Sequence, residues 1–188
     1  LLNFKEKNMD DVKRKIIFLD IGGVLVRERY PSGSACNVER MAAAECVAAL
    51  NVLVETAKAH VVLMETACWG GLHHVTNMLR EWGVRGNIVG SLPEIGGARG
   101  ARWVTVSRAR RITEWLKLYG MNVEAYVVID DSDDMPPAMA GHHVRPTASR
   151  GLTAEDVRSA MNIFVNAIVL DKLSEDRAKK STNLEEVR

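Results

Sequence analysis

The run Ile16-Ile17-Phe18-Leu19-Asp20-Ile21-Gly22-Gly23-Val24-Leu25 decides how the rest of the chain is read. Four apolar residues end on a carboxylate and two glycines come soon after, the pattern of a buried strand handing Asp20 to a tight loop. A second run of the same kind lies more than a hundred residues downstream, where Ala125-Tyr126-Val127-Val128-Ile129 leads into Asp130-Asp131-Ser132-Asp133-Asp134. Between them, Ala59 to Met64 reads as another strand and Ile88-Val89 as a short one. His143-Val144-Arg145 fits a brief edge strand.

Helical spacing fills the intervals. Met41, Val47, Leu50 and Val54 predict a helix from about Val38 to Thr56, with Asn37 as its N-cap. Leu72, Val75, Leu79 and Trp82 predict a second helix, stopped by Gly83. Residues 90–102, with four glycines, read as a loop, and Ser107 to Tyr119 as a third helix ending at Gly120. Thr153 and Asp156 form a capping-box pattern ahead of Val157, Met161, Phe164 and Ile168, one face of a last helix. The expected organisation is a polar lead over 1–14, one domain over 15–173 and a polar tail over 174–188 that frays beyond Leu173.

Strands alternating with helices predict an α/β protein, a Rossmann-like three-layer fold around a central parallel sheet. Ligands of such sheets gather at the carboxyl ends of the strands, where both Asp20 and the Asp130-Asp131 pair are expected.

Composition narrows the class. The 188 residues are 47% apolar and 26% charged, an ordinary globular mixture sized for one domain. No apolar run approaches the roughly 18 residues of a membrane span. Residues 1–14 mix acids with bases and lack the apolar core of a secretory signal. Three cysteines, Cys36, Cys46 and Cys68, form neither a close pair nor an even set, so a reducing intracellular compartment, cytoplasm or organelle matrix, is expected. The net charge of +1 conceals local bias: residues 85–111 carry Arg85, Arg99, Arg102, Arg108, Arg110 and Arg111 against the single acid Glu94. With Trp103 among them, these arginines are candidates for contact with RNA phosphates or an acidic protein surface, and a solvated loop and helix start is the competing reading.

The two aspartate motifs, with Trp69 after the second strand, Arg108 to Leu116 before the fourth, and Gly151-Leu152-Thr153 before the last helix, resemble the haloacid dehalogenase-like (HAD) superfamily. The compact HAD domain associated with RNA-repair proteins is the nearest form, and the resemblance covers roughly residues 15–168. It implies a HAD-like core without a large cap domain and Mg2+-dependent phosphoryl chemistry. Asp20 then takes the place of the nucleophile. The metal would be held by Asp20, the backbone carbonyl of Gly22, and Asp130 and Asp131.

Two departures from the family pattern bear on activity. Gly22 stands where the family has the aspartate that protonates the leaving group, and general acid–base catalysis contributes about 10²–10⁴-fold. The hydroxyl expected at the end of the second strand is either absent, with Met64 in its place, or supplied by Thr66, with Glu65 then standing in a strand position. Arg108 is the candidate for the cation that steadies nucleophile and phosphate, a task suited to its forked guanidinium. The doublets His73-His74 and His142-His143 are expected to be structural or surface residues, since neighbours diverge by about 100° on a helix and make poor chelates. The expected function is a catalytically degenerate phosphatase-like domain that binds or scaffolds within a larger protein or ribonucleoprotein assembly. The alternative is an active phosphohydrolase using Asp20, Thr66 and Arg108.

Overall fold

The computed structural model describes residues 13–27, 41–94, 98–99, 102–103 and 107–185, with side chains beyond Ser174 left aside. The first strand, β1 (Arg14–Leu19), lies at the centre of a five-stranded parallel sheet. Helix α1 (Ala44–Ala57) leads to β2 (His60–Leu63), and α2 (Leu72–Glu81) to β3 (Asn87–Ser91). A two-stranded antiparallel pair, β4 (Ala98–Arg99) and β5 (Arg102–Trp103), precedes α3 (Arg108–Tyr119). Then come β6 (Val123–Ile129), β7 (His143–Val144) and α4 (Ala154–Glu185). The sheet order is β3-β2-β1-β6-β7.

Alternation along β1 explains the layers, because successive side chains of a strand point to opposite faces. Ile17 and Leu19 join a core built with Leu50 and Leu53 of α1, Val75 and Leu79 of α2, and Val157 and Phe164 of α4. Ile16 and Phe18 face the other way, onto Ile112 and Trp115 of α3. Phe18 meets the Trp115 ring edge-on at 5.3 Å. Burial on both faces is why the strands read as continuous apolar runs rather than alternating ones.

The expected helix starts hold at two places. Ser107 accepts a hydrogen bond from the Arg110 amide at 3.4 Å, and Thr153 and Asp156 exchange side-chain-to-backbone bonds at 2.8 and 3.3 Å. Elsewhere the structure departs from the pattern. Helix α1 begins at Ala44 rather than near Val38; Met41 is exposed and Asn37 lies outside the described residues. The segment read as a loop contains the β4–β5 pair. The tail expected to fray beyond Leu173 stays helical to Glu185, in keeping with its good helix formers. Val165, Val169, Leu170 and Leu173 leave an apolar stripe exposed on α4. Among the described residues no helix is long and apolar enough to cross a membrane.

Candidate functional site at the strand carboxyl ends

Register brings the two aspartate motifs together. Leu19 pairs with Ile129 of β6 and with Leu63 of β2, so Asp20, Asp130 and Met64 leave the sheet at one level. The Asp20 amide donates to the Ile129 carbonyl at 3.0 Å, and the Met64 amide to the Leu19 carbonyl at 2.9 Å. Asp20 is 5% exposed and Asp130 fully buried. Asp20, Asp130 and Asp131 each offer an oxygen within 4.8 Å of the others.

Arg108, the first residue of α3, reaches into this cluster. Its Nη1 donates to both oxygens of Asp130, at 2.8 and 2.9 Å, and its Nη2 lies 3.4 Å from Asp20 Oδ2. Glu65 Oε2 stands 4.0 Å from the same Nη2. Asp20 Oδ1 also accepts from the Ile21 amide at 2.8 Å, and Asp130 Oδ1 from the Ser132 amide at 3.0 Å. Burial pushes the Asp20 carboxyl up to about 7; Arg108 pulls against that, and the charges of Asp130 and Asp131 add to it. Burial also opposes the charge on Arg108, but Asp20 and Asp130 more than reverse this and raise its pKa.

The loop after β1 is a tight turn, with Gly23 and Val26 joined through a 2.8 Å amide-to-carbonyl bond. The two glycines in it differ sharply. Gly23 has φ +66, and a Cβ there would collide with the Asp131 carboxylate, so only glycine lets that carboxylate lie against this loop. At Gly22 a Cβ would meet nothing within 4 Å.

Residues 16–157 match the family of HAD domains in Swiss Army Knife RNA repair proteins. The chain belongs to that family. No curated protein matches it. A solved structure, that of a hypothetical protein from Xanthomonas campestris, aligns over 89% of this chain and 88% of its own at 13% identity, with a TM-score of 0.36.

Within the HAD domain, Asp20, Asp130 and Asp131 supply hard oxygen donors of the kind Mg2+ takes, and the Gly23 cradle holds Asp131 facing the loop that carries the Gly22 carbonyl. The donor set therefore fits the metal that the family implies. The exit of β2 is different. Met64 is fully buried in the core under α3 and has no hydroxyl to offer. Thr66 is buried, and its carbonyl accepts the Trp69 and Gly71 amides at 3.1 and 2.8 Å. No hydrogen bond links its hydroxyl to Asp20 or Arg108.

The arginine-rich segment is dispersed by the fold. Arg85 precedes β3, at the opposite end of the sheet from Asp20, and pairs with Glu55 at 3.0 Å. Arg111 donates to the Pro93 carbonyl at 3.0 Å, Arg110 is exposed, and the side chains of Arg99 and Arg102 lie outside the described residues.

Two residues support the cluster in a way the sequence leaves unspecified, although the His142-His143 doublet is expected to be structural or surface. His143 Nε2 lies 2.8 Å from the Asp130 carbonyl, and since a carbonyl only accepts, that nitrogen carries the proton. Arg145 Nε donates to the Asp131 carbonyl at 2.9 Å. Together with the Asp130 amide bonded to Val144 at 3.3 Å, they fasten the peptide units that carry both acidic side chains. The only sequence signal was the brief edge strand, and nothing local tells which backbone it will meet. His142, as expected of the doublets, is structural: its ring stacks on Tyr126 at 4.1 Å.

Proposed function

We propose that this HAD domain binds a phosphorylated group together with a divalent cation at the carboxyl ends of β1 and β6, turns it over poorly, and serves as a binding or scaffolding subunit of a larger protein or ribonucleoprotein assembly. The observation that carries this reading is Gly22, where a side chain is missing from a site whose Asp20, Arg108, Asp130 and Asp131 are otherwise assembled. Asp130, Asp131, Asp20 and the Gly22 carbonyl would hold the cation. When bound, Mg2+ would supply positive charge that offsets repulsion between an anionic substrate and the Asp20 carboxylate.

The chain's own residues limit the chemistry. Asp20 must be ionised to attack phosphorus, and with a pKa of about 7 it is only about half ionised at neutral pH while the cluster holds protein charges alone. Arg108 is placed to orient phosphoryl oxygens beside Asp20. No carboxylate at position 22 delivers a proton to the departing oxygen, which must take one from water. Assembly partners are inferred from the family's occurrence in RNA repair proteins; of the six arginines first considered as RNA contacts, Arg85, Arg108 and Arg111 are engaged within the fold, which leaves Arg110, with Arg99 and Arg102, as the candidates.

The second reading, an active Mg2+-dependent phosphohydrolase passing through an aspartyl-phosphate, is favoured by the intact approach of Arg108 to Asp20 at 3.4 Å. One experiment separates the two. Hydrolysis of an aryl phosphate with Mg2+ is measured for the parent chain, Gly22→Asp and Asp20→Asn. The open space at position 22 admits the new carboxylate, and a rate increase of about 10²-fold or more is expected from it. A parent rate that Gly22→Asp leaves unchanged and Asp20→Asn abolishes would establish the active reading instead.

A further inference from the structure

The acidic cleft already contains a cation. Arg108 Nη1 sits between the two oxygens of Asp130, at 2.8 and 2.9 Å, the position a bidentate metal ion would take on that carboxylate. Its Nη2 reaches Asp20 Oδ2 at 3.4 Å. The remaining Asp20 oxygen accepts the Ile21 amide, and Asp130 Oδ1 accepts the Ser132 amide as well as Arg108. All four carboxylate oxygens of Asp20 and Asp130 are therefore engaged, and Asp130 Oδ1 has both lone pairs in use.

We propose that Arg108 is the resident cation of this cleft, so that its guanidinium and a divalent ion compete for Asp20 and Asp130. The inference rests on reading the cleft as a divalent-cation site. A divalent ion that takes an Asp130 oxygen from Nη1 meets a positive charge held on the same two carboxylates, and in a partly buried site that repulsion is screened far less than in water. Relief comes when the guanidinium leaves Asp130. Its side chain is 27% exposed, so it has a solvent-facing side toward which to turn, and there it can meet phosphoryl oxygens. Without metal, the arginine keeps three carboxylates from repelling one another and the site remains assembled. With metal, the same arginine becomes available to an anionic ligand. Binding is thereby ordered, cation first and phosphate second.

The test titrates the full chain with Mn2+, monitored by the loss of free-ion electron paramagnetic resonance signal, for the parent and for Arg108→Gln. Competition predicts that Arg108→Gln binds Mn2+ at least tenfold more tightly, about 1.4 kcal/mol. Equal or weaker binding by the folded variant overturns the proposal. The parent chain gives a second measurement that needs no variant: the guanidinium proton and nitrogen resonances of Arg108, slowed by its carboxylate partners, should shift and broaden as Mg2+ is added. Resonances unchanged at saturating Mg2+ would also overturn it. If neither the parent nor Arg108→Gln binds Mn2+ at millimolar concentration, the cation site itself is rejected, a result distinct from equal binding by both.

Discussion

The exits of β6 and β2 flank Asp20 at the same level of the sheet and differ in almost every respect. On the β6 side, Asp130 is buried, bonded to Arg108, and held from behind by His143. On the β2 side, Met64 turns its thioether into the core, Glu65 points its carboxylate toward Arg108, and the Thr66 hydroxyl makes no bond to Asp20. The difference teaches that the two sides of the cleft are separable: the carboxylate side is tightly built, and the side where the proposed reading would need a hydroxyl for a phosphoryl group is not.

Removing the strongest member of the tight side should have the largest effect. Asp130→Ala leaves Arg108 without its bidentate partner in a partly buried place, and a loss of about 3–5 kcal/mol in unfolding free energy is expected by urea titration. A loss under about 1 kcal/mol would show that the pair is not holding the site together.

Asp20→Asn should act in the opposite direction. The carboxyl is raised from 3.8 to about 7 by folding, so the folded chain keeps a proton that the unfolded chain releases between about pH 4 and 7. Parent stability from this group therefore falls as pH rises through that window and is level above it. An uncharged amide avoids the fall, and metal-free Asp20→Asn should be more stable than the parent by about 2–4 kcal/mol at pH 8. The gap should narrow toward pH 5; a gap that is constant from pH 5 to pH 8 would refute the burial argument.

Across the comparison, Met64→Thr supplies a hydroxyl at the end of β2 but removes a buried side chain under α3. It should cost about 2 kcal/mol in thermal unfolding and give no gain in orthovanadate affinity, because the position faces the core. Tighter vanadate binding would mean that the β2 side can be restored by a single residue. The smallest effect is expected at the brace: His143→Ala loses one hydrogen bond to the Asp130 carbonyl, about 1 kcal/mol, and His143→Gln, which can still donate, should recover part of it.

Legibility in the sequence tracks the range of the interactions concerned. The strands carrying Asp20 and Asp130 were readable because burial on both faces leaves unbroken apolar runs, and their meeting came from the rule that ligands collect at strand carboxyl ends. Arg108 could be named from its place in the family pattern, but not its three carboxylate contacts, which depend on where α3 docks. The choice between Met64 and Thr66 stayed open because it turns on a register that two parallel strands set between them. His143 and Arg145 were invisible as supports for the same reason, since they act on backbone carbonyls of a neighbouring strand and its exit loop. The start of α1 was misplaced because helical spacing counts Met41 as a core residue, and only packing shows it exposed.

The open space at Gly22 has a genetic meaning. Every glycine codon becomes an aspartate or glutamate codon by one transition at its second base. This chain is thus a single nucleotide away from a carboxylate at the position where the HAD resemblance implies one, and the backbone already has room for it. At neighbouring Gly23 the same kind of nucleotide change would drive a side chain into Asp131. Two adjacent glycine codons therefore differ in what the same change does to the backbone: at position 22 the new side chain finds open space, and at position 23 it meets a left-handed φ and the Asp131 carboxylate.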